Sequence, residues 1–393
     1  MTVLAIVCLA VTWAVGVVWL SRHLKLSREA RSGNLLTEDR ATNAELPFLS
    51  VVIAAKDEQA NIGRCVRTLL EQDYPDFEVI VVNDRSTDET AEIVRRLAEE
   101  DRRLRLINIG ELPPGWCGKN HAMHVGVGQA RGQYICMMDA DCRQTSRHSL
   151  RAAVAYALDS GTDLLSVLPN LELVGFWENV VQPVCGGIMM IWFSPEKVND
   201  PARPQAYANG AFMLMRRAAY DAIGGHQAVR DNINEDMHLA ARIKAAGLKL
   251  RVVRNRGLYL VRMYTSLRGI VQGWSRIFYG TFQSVGRVCA SLAVLVVMGL
   301  LPYLAAAWAL TALALGRGPE TLMRACAAVA LMAIAAQLSV IWRFYRFIGA
   351  RPRLFWTYPI GCVVAMVALL VALSKLRPGA EVTWRNTTYT HRG

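Results

Sequence analysis

The sequence predicts an α/β domain with a mostly parallel, doubly wound sheet, held at a membrane by apolar helices before and after it. From Phe48 to Met138, short apolar runs alternate with amphipathic stretches, and strand-helix alternation of that kind builds parallel sheets. Carboxylates stand where the strand-like runs end, at Asp57 and Glu58, at Asp84, and at Asp139 and Asp141. Sheets of this class bind ligands at the carboxyl ends of their strands. The third observation is composition: 53% of the 393 residues are hydrophobic and the mean hydropathy is +0.22, too apolar for a chain that meets only water.

The elements follow in order. Leu4 to Leu20 carries no charge and nearly matches a bilayer core of about 30 Å. It lacks the basic start and small-residue cleavage site of a secretory signal, so residues 1–21 are expected to be a retained anchor. Residues 22–47 are polar and patternless and predict a linker. The domain is expected over 48–261: a strand from Phe48 (FLSVVIAA), a helix over 62–70, a strand over 77–83, a helix over 90–101, a strand over 104–109, a helix over 119–130 and a strand over 134–138. Ser86 followed by Glu89 predicts a capping box for the second helix. Residues 262–287 mix arginine with aromatic side chains, as a helix at a membrane surface does. Val288 to Leu315, Ala325 to Trp342 and Phe355 to Ser374 predict about three spans over 288–374, and a basic tail occupies 375–393.

Arg22, Lys25, Arg28 and Arg31 follow the first span, and by the positive-inside rule they put the polar domain in the cytoplasm. Arg343, Arg346, Arg351 and Arg353 agree. Four simple crossings would then send the tail outside, although the tail too is basic. Either one apolar segment lies in the membrane without crossing, or Pro302 kinks a span.

The formal net charge of +12 suits anionic headgroups and phosphate. No basic run joins a nucleic-acid motif, so no nucleic-acid partner is expected. The 9 cysteines include no C-x-x-C, which argues against a disulfide framework or structural zinc. No G-x-G-x-x-G follows the first strand and no G-x-x-x-x-G-K-[ST] occurs, which argues against a dinucleotide dehydrogenase or a P-loop nucleotidase.

The run YICMMDADC is the richest in chemistry. Alternation places Asp139 and Asp141 on one side of an extended chain, where their hard oxygens can converge on Mg²⁺ or Mn²⁺ and leave positions open for phosphate. Asp is also common wherever a strand turns into a loop.

The order of the motifs VVIAAKDEQANI, VIVVNDRSTDET, GWCGKNHA, MDADC, NGAFMLMRR and NINEDMHLA resembles that of family 2 glycosyltransferases of the GT-A fold, over about 49–287. With LPPGWCGK, FWENVVQP and VND, the chain resembles the bacterial hopene-associated glycosyltransferase group and, more loosely, ceramide glucosyltransferases and carotenoid-lipid glycosyltransferases. The resemblance implies a multi-pass enzyme of the bacterial inner membrane with a cytoplasmic GT-A domain. It would move a sugar from a nucleotide-diphosphate donor, a UDP-sugar, to a lipid hydroxyl with inversion of configuration.

By the same resemblance, Ala54, Asp57 or Glu58, and Asp84 line the nucleotide, and Asp139 and Asp141 hold the diphosphate through a divalent metal. Asp236 of the Glu235-Asp236 pair is the catalytic base. A carboxylate at a helix start is also a routine cap. Lys119, at a predicted helix start, faces phosphate or merely water. Glu235, Gln272, Trp274 and Arg276 are candidates for contacts to acceptor or diphosphate. The processive synthases of the family carry Q-x-x-R-W, where this chain reads QGWSR, which speaks against a processive polysaccharide synthase. A catalytically silent nucleotide-sugar-binding protein is disfavoured by the intact carboxylate set.

Overall fold

The computed structural model describes residues 1–41, 45–377, 381–384 and 387–390. Helix α1 (Thr2–Arg31) leads into a two-residue strand, β1 (Leu35–Leu36). Strands β2 (Leu49–Ala55), β3 (Phe77–Asp84), β4 (Leu104–Ile109) and β5 (Tyr134–Asp139) then alternate with helices α2 (Ile62–Leu70), α3 (Thr90–Glu100) and α4 (Gly118–Gly128). Next come β6 (Cys142–Gln144), α5 (Ser149–Asp159), β7 (Leu164–Leu168), β8 (Asn170–Leu171), α6 (Phe176–Trp192) and α7 (Pro195–Val198). The domain closes with β9 (Phe212–Arg216), α8 (Arg217–Ala222), α9 (Glu235–Ala245), β10 (Leu250–Asn255) and β11 (Tyr259–Val261). Helices α10 (Leu267–Phe282), α11 (Val285–Val294), α12 (Leu301–Ala314), α13 (Glu320–Ile348) and α14 (Tyr358–Lys375) follow.

The main sheet has the order β1-β10-β7-β9-β5-β2-β3-β4. All its pairings are parallel except those of β9, which runs antiparallel to both β5 and β7. Central strands covered on both faces should be apolar almost without a break, and Leu49, Val51, Val52, Ile53, Val79, Ile80, Val81 and Val82 are all fully buried. A small sheet, β6-β11-β8, folds beside the carboxyl end of β5.

Two local expectations fail for physical reasons. The expected linker is helical through Arg31, because no glycine or proline interrupts 22–31, and β1 adds to the sheet edge by pairing with β10. Glu29 keeps this junction in place, its carbonyl accepting from Arg254 Nη2 at 2.6 Å. The capping box at Ser86 does not form either. Helix α3 starts at Thr90, its amide donating to Asp88 Oδ1 at 3.0 Å, while Ser86 Oγ accepts the Asp57 amide at 3.0 Å. Ser86 joins two loops at the sheet edge, a contact invisible to local pattern.

Four helical stretches are long and apolar enough to cross a membrane: Thr2–Arg31, Val285–Ala314, Glu320–Ile348 and Pro352–Lys375. Helix α13 packs against α1 and α12 through small side chains, including Ala5, Ala306, Ala309, Ala327 and Ala330. Small residues let backbones approach where no water drives association. Pro302 has no N–H for the carbonyl of Met298 one turn earlier, and the chain widens to a π-helix over Leu295–Leu300. That carbonyl accepts from Trp19 Nε1 of α1 at 2.9 Å and from Gln337 Nε2 of α13 at 2.7 Å. The helix break is thereby turned into a polar tie between three apolar helices.

Candidate active site

Parallel register brings the predicted carboxylates to one edge. Ala54 pairs with Asp139 across β2 and β5, and Ala55 pairs with Asn83 across β2 and β3, so Asp84 emerges beside them. The antiparallel β9 does something the other strands cannot. Met138 pairs with Phe212 at its start, so the chain entering β9 carries Asn209 and Gly210 to the same edge. The N-termini of α4 and α9 complete a cleft of about 290 Å³ lined by Ala54, Glu58, Asp84, Lys119, Asp139, Asp141, Gly210, Glu235, Asp236 and Arg276, among others.

Lys119, in the first turn of α4, points its ammonium into this cluster. Its Nζ lies 2.6 Å from Asp139 Oδ1 and 2.8 Å from Glu235 Oε1. Burial works against its charge, but Asp139, Glu235 and Asp236 hold its pKa well above the ordinary lysine value. The cluster therefore keeps a cation at its centre.

Asp236 sits one residue inside α9, whose N-cap is Asn234, so it is not the cap. Its Oδ2 accepts the Gly210 amide at 2.8 Å and its Oδ1 the Met237 amide at 2.8 Å. Both oxygens are thus oriented by backbone, and each retains a lone pair for another partner. Burial and the adjacent Glu235 push its pKa up to about 7, against the opposing pull of Lys119 and the two amides. A carboxyl poised there can exchange protons near neutrality.

The donor chemistry of Asp139 and Asp141 suits a hard, oxygen-seeking cation. Lys119 already shows that this wall selects positive charge. Among the described residues, no group of three or more His, Cys, Asp or Glu side chains forms a ready-made metal site. Two carboxylates fit a cation only if its remaining ligands would come from a bound diphosphate and water.

The other predicted residues divide. Glu58 lines the cleft, its amide held by Thr90 Oγ1 at 2.8 Å. Asp57 lies outside the lining and takes a left-handed φ of 53°. It accepts the Thr87 amide at 2.8 Å and so braces the loop that carries Asp84. Arg276 donates to the Tyr264 hydroxyl at 2.9 Å, and both line the cleft. Gln272 is exposed and off the cleft. Trp274 is only 6% exposed and packs with α6 and α14, because α10 turns that face inward.

Asn120, Asn209, Gly210 and Tyr264 belong to the site although sequence reasoning gave them no role there. The GWCGKNHA and NGAF motifs were the available signal. Asn120 Nδ2 donates to the carbonyls of Val229 at 2.7 Å and Asn232 at 2.9 Å, fixing the loop that leads to Glu235 and Asp236. Gly118 is equally specific, since a Cβ there would lie 2.5 Å from Asp84 Oδ2. Gly118→Ala should push Asp84 aside. Overpacking costs about 1 to 3 kcal/mol, so the melting temperature should fall by a few degrees, and titration with UDP should show affinity falling about tenfold or more as Asp84 leaves its place.

Residues 50–224 match the profile of glycosyl transferase family 2. The chain is 27% identical over 269 residues to 4,4'-diaponeurosporenoate glycosyltransferase of Staphylococcus aureus (strain USA300), covering 66% of this chain and 70% of that protein. Its fold is similar to that of the mannosyltransferase PcManGT from Pyrobaculum calidifontis, solved in complex with GDP-Man and Mn²⁺. There the TM-score is 0.50 at 21% identity, over 86% of this chain and 98% of the other. The parallel sheet with one antiparallel strand, the carboxylates at its edge and the profile match agree: residues 50–224 of this chain form a family 2 glycosyltransferase domain of the GT-A fold.

Proposed function

We propose that this glycosyltransferase moves a sugar from a nucleotide-diphosphate donor, a UDP-sugar, to the hydroxyl of a membrane lipid, with inversion, at the cytoplasmic face of a bacterial inner membrane. The observation that carries the reading is the mixed character of the cleft. Its sheet side is lined by carboxylates, while Met189 of α6 and Ile277 of α10 line another side and belong to helices packed into the apolar bundle with α14. A water-soluble donor and a lipid acceptor need such a meeting point.

Glu58 and Asp84 would accept hydrogen bonds from base and ribose, and Arg276 would meet phosphate. Asp139 and Asp141 would hold a divalent cation, Mg²⁺ or Mn²⁺, which neutralises charge on the departing diphosphate. Asp236 would take the acceptor's proton as its oxygen attacks the anomeric carbon. Lys119 keeps Glu235 and Asp236 from repelling each other and the donor.

A second reading is favoured by the Staphylococcus relative, whose name specifies a carboxylate acceptor. A carboxylate attacks without a base, so the raised pKa of Asp236 supports the hydroxyl. Mass spectrometry of lipids from cells with and without the gene decides: a hexose or N-acetylhexosamine increment on a lipid supports transfer. Survival of that product in mild alkali marks a glycoside, and its hydrolysis marks a glycosyl ester. Polymer with no modified lipid would overturn the proposal.

A further inference from the structure

We propose that α14, though long and apolar enough to cross the bilayer, lies in the leaflet next to the catalytic domain and does not cross. The chain then makes three crossings, α1, the continuous stretch α11–α12 (Val285–Ala314) and α13, and its tail returns to the side of the cleft.

The argument rests on where the two ends of α14 are tied. Before it, the Arg351 amide donates to Asn179 Oδ1 of α6 at 3.0 Å. At its end, Lys375 Nζ donates to Ser275 Oγ of α10 at 3.2 Å. Ser275 precedes Arg276, which lines the cleft. A helix of 18 residues is about 27 Å long, close to the thickness of the bilayer core. Were α14 to cross, Ser275 would sit on the far side of the membrane from Asn179, and the cleft would be split between the two sides. One domain cannot satisfy that.

Packing agrees. The bundle of α1, α12 and α13 holds together through its own alanines, whereas α14 packs mainly on α10 and α6 and meets the second apolar span only at α11 and the π-helical turn Leu295–Leu300. Its inner face, with Cys362, Ala365, Ala368 and Ala372, is fully buried. Gly361 permits this closeness, since a Cβ there would lie 2.3 Å from the Val180 carbonyl oxygen. Trp356, just before the helix, and Ile360, Val363, Val367 and Leu370 on its outer face are each 43% exposed or more. The last four recur at helical spacing as one stripe. Arg351 and Arg353 precede this stripe, and Lys375 and Arg377 follow it. An apolar face bounded by cations fits acyl chains flanked by anionic headgroups, so the partner of this surface is the leaflet itself. The basic tail then obeys the positive-inside rule, which four crossings would violate.

The test is the side on which residue 390 lies. In a Cys289→Ser background, which removes the exposed cysteine, single cysteines are introduced by Glu99→Cys in the domain, Arg317→Cys between α12 and α13, and Thr390→Cys in the tail. Cells are labelled with a membrane-impermeant maleimide before and after permeabilisation. The expected result is that Thr390→Cys follows Glu99→Cys and only Arg317→Cys reacts from the opposite side. Thr390→Cys reacting together with Arg317→Cys would overturn the inference. If Thr390→Cys stays unreactive throughout, an alkaline phosphatase fused to the C-terminus decides, since activity means export and a fourth crossing, and inactivity with full expression means none. The outcome does not depend on which donor or acceptor the enzyme uses.

Discussion

Asp236→Asn should leave UDP binding nearly unchanged and lower turnover by about 10² to 10⁴, the usual cost of losing a general base. The amide keeps the size of the carboxyl but has only one oxygen. It can accept from Gly210 or from Met237, where the native group accepts from both. Losing one such bond costs about 1 kcal/mol, a modest shift in melting temperature. A rate loss of hundredfold or more with intact affinity is the mark of a group that acts in the transition state. The pH profile provides a second measure. With the Asp236 pKa pushed up to about 7, the base form grows as pH rises through that value, so wild-type turnover should climb across neutrality. The Asn variant should lack that limb. Near-normal turnover by Asp236→Asn would remove it from the mechanism and leave Glu235 as the candidate.

Asp236 also shows how far the sequence could be read. Asp84 and Asp139 were legible as edge residues because parallel strands end in step and the apolar runs mark their ends, whereas Ala54 came only from the family resemblance. The backbone amide that orients Asp236 was not. It comes from Gly210, 26 residues earlier, and reaches the site only because β9 enters the sheet antiparallel between β5 and β7. No periodicity encodes the direction of one strand. Lys119 had the same fate: its helix was expected, but its partners Asp139 and Glu235 arrive from β5 and α9.

The membrane side divides in the same way. All four apolar helices were visible as runs of composition, since length and hydropathy are local properties. Trp274 was harder, because aromatic and basic residues along α10 read equally well as a surface helix. Only the arrival of α6 from far upstream and of α14 from nearly a hundred residues downstream buries it. The tie from Trp19 to the Met298 carbonyl is likewise a tertiary answer to a local defect at Pro302.

Asp141→Ala should abolish transfer and should weaken UDP binding only when a divalent cation is present. The argument begins with charge. A diphosphate entering a wall that already holds Asp84, Asp139, Asp141, Glu235 and Asp236 meets repulsion, which Lys119, already paired with Asp139 and Glu235, and Arg276 answer only in part. A divalent cation on Asp139 and Asp141 reverses that balance, and its affinity depends on both carboxylates. Loss of outer-shell partners alone costs about 10 to 100-fold in metal affinity, so loss of a direct ligand should cost more. Titration of UDP at saturating Mn²⁺ should therefore show the variant at least tenfold weaker than wild type, while the two coincide in EDTA. If Asp141 merely shaped the loop between β5 and β6, the alanine variant would bind UDP equally well in both conditions or equally poorly in both. Equal affinity at saturating Mn²⁺ would sink the metal role of Asp141 and leave Lys119 and Arg276 as the groups that neutralise the leaving diphosphate.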